Sequence, residues 1–263
     1  MAETVYRIAA LNAYVPGNGG TGALAVQVYA FAKQNDSVRA PYLIANETIC
    51  SHLGRAIRLP FPASEIVTGG NPPIKYFASL DFNNTGNSLP PIVPTQCVAK
   101  LPDLSTGLLL FDILVANLDR HANNINIDLG AQPPRMTAFD HGHALFGYIS
   151  NQGNARLTEK KDRLGISWGV AGQHGSGPNR HCLLDVINSD SFFDKWVKRI
   201  KTIPDFLIEE VCLSAVEHGL TSVEAQCAID FLSYRRDHLD DIINANRTDF
   251  TGIKTWSIFR QGP

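Results

Sequence analysis

The stretch "NLDRHANNINIDLGAQPPRMTAFDHGHALFG", Asn117 to Gly147, gathers histidines, asparagines and well-placed aspartates into one turn-rich region. Asp119 and Asn124 follow an apolar helical pattern and precede a short apolar run, "NINIDL". Asp140 ends a second run, "RMTAFDH", beyond the turn "GAQPP". A β-hairpin through these runs would bring Asn124 and Asp140 near each other. An Asp or His in such a loop can take a proton from a hydroxyl. Asn and Asp offer hard oxygen ligands, which suit Mg²⁺ better than zinc. One base with two oxygen ligands for magnesium is the minimal set for phosphoryl transfer from ATP.

Two other readings use the same residues. His121, His141 and His143 could bind zinc or iron, but no H-x-x-x-H pattern falls on a helix and no carboxylate stands at a known spacing. The Asp and Asn residues could also simply cap turns. The number of polar groups in so short a region exceeds what turn chemistry requires.

Other elements must position these groups. "TVYRIAALNAYV" and "ALAVQVYAFAK" flank the turn "GNGGTG" and predict an antiparallel hairpin. Lys33 ends its second strand. "APYLIANETICSHLGRAIRLPFP" then sets Ile44, Ile49, Leu53 and Ile57 at helical spacing, with Pro60 and Pro62 ending the helix. Glu47 lies on that helix, so a Lys33–Glu47 ion pair could aim the ammonium at ATP phosphates. Backbone N–H groups at Gly19, Gly20 and Thr21 could cover phosphates, although no G-K-[ST] follows to make a Walker A sequence. Residues 63–100 read as irregular apart from a strand at "IKYFASLDF". "DLSTGLLLFDILVANLD" reads as an apolar helix capped by Asp103 or Ser105.

The last third reads as packing helices. "TSVEAQCAIDFLSYRRDHLDDIINANR" opens on the capping-box pair Thr221 and Glu224, and Val223, Cys227, Phe231 and Ile242 approximate its buried face. A Gly-rich loop runs from Gly169 to Gly177. The expected class is α+β, with a strand-rich lobe over 1–80 and a mainly helical lobe over 81–263.

The chain has 263 residues and 44% hydrophobic content, enough for one large domain or two small lobes with real cores. A net charge of −2 argues against a nucleic-acid partner held mainly by phosphate contacts, though it leaves room for a local basic patch. No apolar run reaches membrane-spanning length, and the N-terminus shows no signal-peptide pattern, so a cytoplasmic location is expected. Five scattered cysteines without a C-x-x-C argue against a disulfide framework or structural zinc.

"DRHANNI…FDHGH" resembles the signature of phosphoinositide 3-/4-kinase-like enzymes, D-R-H-x-x-N-I followed by D-F-G-H. It departs at His141, where that pattern has Phe. The order of Lys33, Glu47 and "RLPFP" resembles the short bacterial kinase domain of the HipA-like family, and the likeness spans roughly 15 to 245. That resemblance implies a two-lobed protein-kinase-like fold and an ATP- and Mg²⁺-dependent kinase. It implies Lys33, held by Glu47, on the α- and β-phosphates, with Asn124 and Asp140 as metal ligands. Asp119 is the base in the HipA-like reading, whereas the phosphoinositide-kinase-like reading gives His121 a share. Arg120 is open between a phosphate contact and a structural ion pair. The implied acceptor is a protein Ser/Thr hydroxyl, with a small-molecule hydroxyl also open. A nucleotide-binding pseudokinase, a lipid kinase and an AMP-transferring enzyme remain as alternatives on the same fold.

Overall fold

The computed structural model describes residues 8–15, 23–83, 91–147, 152–168 and 179–257. The first Gly-rich turn, with Gly19, Gly20 and Thr21, lies outside them, as does the stretch from Gly169 to Gly177.

Strands β1 (Ile8–Val15) and β2 (Ala23–Val28) form the expected antiparallel pair. β3 (Ala30–Lys33) belongs to a second sheet of order β3-β5-β4, with β4 at Ser64–Gly69 and β5 at Ile74–Leu80. Helix α1 (Leu43–Ala56) connects β3 to β4. Its first turn lacks a cap of its own, but Asn35 Oδ1 accepts the Ile44 N–H at 2.9 Å while Asn35 Nδ2 donates to the His218 carbonyl. The helix stops at Ala56, ahead of Pro60, where Arg58 takes a positive φ of 60°. Gly54 is required by packing: a Cβ there would meet the Phe61 ring at 2.0 Å.

Two elements depart from the irregular reading of 63–100. β4 pairs along its length with β5, from Ser64 opposite Ser79 to Gly69 opposite Ile74. Its short "SEIVTG" pattern is weak alone, and the ladder across the Gly70 turn stabilises it. α2 (Pro94–Lys100) starts with proline at its first helical position, where no N–H is needed.

α3 (Pro102–Leu114) carries neither expected cap. Asp103 instead accepts from Lys195 and Trp196, and Ser105 is buried beside Cys97. The helix ends before Asn117 because Ala116 turns to a φ of 49°. After the 3₁₀ turn Ala122–Asn124, β6 (Ile125–Asp128) and β7 (Arg135–Ala138) form the predicted hairpin. α4 (Gly153–Lys160) follows, and β8 (Ser167–Trp168) pairs with β9 (Asn179–Arg180).

α5 (Phe193–Lys201), α6 (Asp205–Ser214), α7 (Ser222–Asp237) and α8 (Leu239–Ala245) complete the chain. The Thr221–Glu224 capping box is formed. The single last helix of the sequence reading is broken at His238. Phe231 and Ile242 are buried as expected and Cys227 is half-buried, but Val223 is exposed, and Ala225, Ala228, Ile229 and Leu232 widen the buried face. Alanines count as core here because neighbouring helices approach closely, which an aliphatic-only pattern misses. One core joins α1, α3, the hairpin and the C-terminal helices, with α1 packed on α6 and the 3₁₀ turn Ala215–His218.

Candidate active site

Lys33, Glu47 and Asp140 meet at one end of a cavity of about 640 Å³. β3 ends at Lys33, and its ladder with β5 fixes the residue opposite Phe77. Lys33 Nζ donates to Glu47 Oε1 at 2.6 Å and lies 2.8 Å from Asp140 Oδ1. Asp140 follows β7 with a φ of 63°, which turns its carboxylate back toward the lysine. Burial opposes the Lys33 charge, but Glu47 and Asp140 outweigh it and hold the ammonium above its ordinary pKa. Burial alone would raise the Asp140 pKa, yet Lys33 holds it below the usual carboxylate range. Burial raises the Glu47 pKa against the pull of Lys33.

α1 also fixes the loop after Asp140. Glu47 Oε2 accepts the His141 N–H at 3.1 Å. Its neighbour Asn46 donates to the Gly142 carbonyl at 2.8 Å and accepts the Phe146 N–H at 3.4 Å. The adjacent polar side chains of Asn46 and Glu47 are thus both engaged.

The loop from Asn117 to Asn124 is built on side-chain caps. Asn117 Oδ1 accepts the Asp119 N–H, and Asn124 Nδ2 donates to the Asp119 carbonyl at 2.9 Å. With its nitrogen so used, Asn124 keeps Oδ1 as its other polar side-chain atom. His121 Nδ1 accepts the Asn123 N–H at 3.2 Å and caps the 3₁₀ turn. Asp119 is part-exposed beside it.

Beneath the loop lies a buried network that the sequence reading left out. Asp112 of α3 is fully buried. It accepts from Arg120 Nε at 2.7 Å, from Asn117 at 3.0 Å and from His181 Nε2 at 2.9 Å. Burial pushes its carboxyl up, but Arg120 and His181 hold it far below the usual range. Arg120 also donates to the carbonyls of Asn124 and Phe139, and so ties the loop to the end of β7. This burial makes Arg120 a structural ion pair and removes it as a phosphate contact.

His141, which stands where the resembled signature has Phe, is packed between Phe61 and Phe111. Arg120 donates to its Nε2 at 2.7 Å, so the imidazole proton sits on Nδ1. Burial, then Arg120, lower its pKa to about 3, and burial lowers that of His181. The His141 ring is neutral in the folded state, and the His181 Nδ1 accepts the Leu183 N–H at 3.1 Å. Between about 3 and 6.5 the unfolded chain binds a proton at position 141 that the folded chain does not. This contribution is complete above the unfolded pKa and is lost as pH falls, at up to about 1.4 kcal/mol per pH unit. Glu47, shifted upward, offsets part of the loss in the acid range. Urea midpoints should therefore fall between pH 7.5 and pH 5.5, and His141→Gln should flatten the slope. A pH-independent midpoint in the wild type would contradict a buried neutral His141.

Of the residues singled out by sequence, Lys33, Glu47 and Asp140 are in contact, and Asp119, His121 and Asn124 share the adjoining loop. Among the described residues no group of three or more His, Cys, Asp and Glu side chains is placed to hold a metal, and His121, His141 and His143 do not converge. Asp112 and His181 went unrecognised. The one available signal was an isolated aspartate inside the apolar run "LLLFDIL", which demands a buried partner. No helix of the described residues is long and apolar enough to cross a membrane.

No protein-family model and no curated protein matches the chain. Among solved structures, the crystal structure of a Helicobacter pylori proinflammatory kinase, CtkA, is similar at a TM-score of 0.52 and 12% identity, covering 92% of this chain and 97% of that one. The chain has the α+β, two-lobed fold of a kinase, with a small strand-rich part and a larger, mainly helical remainder.

Proposed function

We propose that the chain is an ATP- and Mg²⁺-dependent phosphotransferase of the HipA-like type, moving the γ-phosphate to a hydroxyl of a protein Ser or Thr. The observation that carries this reading is Lys33 Nζ held between Glu47 Oε1 and Asp140 Oδ1 at the cavity edge. A lysine held between carboxylates and pointed at a cavity suits phosphate binding. Phe31, Phe77, Phe82, Ile125 and Phe139 give the cavity apolar surface fit for a flat base.

The donor set also fits magnesium. Asp140 is held ionised by Lys33 and its side chain is 38% exposed, while Asn124 offers an amide oxygen. These hard oxygens would hold the ion, which neutralises phosphate charge when bound. Asp119 is the base in this reading. His121 Nδ1 accepts the Asn123 N–H and caps the turn, so that lone pair is not free for a hydroxyl. Asp119 thus orients the acceptor hydroxyl and receives its proton. Arg120 and Asn124 position Asp119 from below.

The test is transfer of label from ATP to the protein or to an added acceptor protein. Asp119→Asn should reduce γ-label transfer by about 10²–10⁴-fold, and His121→Gln by only a few-fold. Transfer of α-label instead would replace the reading with nucleotidyl transfer. Nucleotide binding without transfer of either label would make the chain a pseudokinase.

A further inference from the structure

A second cavity, of about 630 Å³, shares the wall formed by Phe82, Asn83 and Asn126 with the first. Its floor is apolar: Leu101 and Leu104 at the start of α3 are half-buried there, backed by the buried Met136 of β7 and Trp196 ring. Its rim is cationic. Arg58, Lys100, Arg135, Lys195 and Arg199 face it, against Asp103 and Asp128 alone. The chain as a whole is net negative, so this excess of positive charge is local to the cavity.

Both carboxylates are already used. Asp103 accepts from Lys195 at 2.5 Å and from Trp196 Nε1 at 2.8 Å. Asp128 Oδ1 accepts the N–H groups of Gly130 and Ala131 in the hairpin turn. Among the described residues, Arg58, Lys100, Arg135 and Arg199 have no carboxylate partner. Arg135 Nε is buried without a hydrogen-bond partner. Arg199 lies over the Trp196 ring at 5.0 Å, which leaves its guanidinium edge for an acceptor. α3 opens here with no side-chain cap, so the positive end of a 13-residue helix borders the same space.

We infer that this cavity docks an acidic peptide segment of a partner protein, its carboxylates on Arg58, Lys100, Arg135 and Arg199 and an apolar side chain on Leu101 and Leu104. The charge complementarity selects an anionic ligand, and the leucine floor selects one that alternates acid with aliphatic groups. A nucleic-acid strand would offer phosphates to the rim but no aliphatic group for the floor. The inference goes beyond phosphotransfer and does not depend on it, since none of these four cations lines the nucleotide cavity.

The probe is a fluorescein-labelled octapeptide alternating Glu and Leu, followed by anisotropy on the full chain. Saturable binding that weakens with added salt is expected, with no binding of the Lys–Leu counterpart. Arg135→Gln combined with Arg199→Gln should weaken it about tenfold or more. If that double variant melts early, Arg58→Gln with Lys100→Gln serves instead, since both side chains are exposed. Asp140→Ala should bind the peptide as the wild type does, which separates this site from the phosphotransfer reading. Absence of saturable binding, equal binding by the charge variants, or tighter binding of an eight-nucleotide oligothymidine at the same residues would overturn the inference.

Discussion

Asp140→Ala is expected to abolish magnesium-dependent ATP binding and to lower phosphoryl transfer by at least about 10³-fold. The carboxylate is one of two oxygen donors proposed for the ion, and it is half of the bridge that holds Lys33. In the variant, Lys33 keeps Glu47 but loses the partner on the cavity side. Thermal unfolding reads the binding directly. With ligand at 100 times its Kd, the wild type should gain about 2.7 kcal/mol by mass action, and the variant nothing. The gain should require magnesium as well as ATP, so excess chelator must remove it from the wild type. The variant should remain folded, because the Asp140 side chain is part-exposed and Glu47 still satisfies Lys33. Retained turnover in Asp140→Ala would sink the kinase reading outright.

The largest effect on stability should come from a residue that touches no ligand. Asp112→Ala leaves the Arg120 guanidinium buried with no counter-charge, and leaves donors on Asn117 and His181 unmet. Breaking a buried pair from one side costs about 3–5 kcal/mol. Urea unfolding of Asp112→Ala should show that loss, and Asp112→Leu should be no better. The double variant Asp112→Leu with Arg120→Met should recover much of it, because the uncompensated charge is gone. A loss under about 1 kcal/mol in the single variant would mean that the network contributes little.

The hairpin, the Lys33 strand and the Glu47 helix were legible in sequence because their signals are local. A turn-rich gap between two apolar runs specifies β6 and β7, and the apolar spacing in "LIANETICSHLGRA" specifies α1. Asp119, Asn124 and Asp140 stood out for the same reason. What the sequence hid was set by partners distant along the chain. His181 reaches Asp112 from another part of the chain, and nothing near either residue announces the other. β4 exists because β5 pairs with it. The structural part played by Arg120 needed burial, and the proposal of Asp119 rather than His121 as base draws on the direction of one backbone N–H.

α1 is fastened at its N-terminal end. Asn35 ties its start to the His218 carbonyl, Tyr42 reaches Glu224 of α7 at 2.7 Å, and Asn46 holds the turn after Asp140. A helix held in this way cannot act as a lever. Swinging Glu47 away from Lys33 would break contacts to two distant helical segments and to the loop at once. The helix behaves as an anvil, fixed before any ligand arrives, and whatever turns this molecule on or off must move something else.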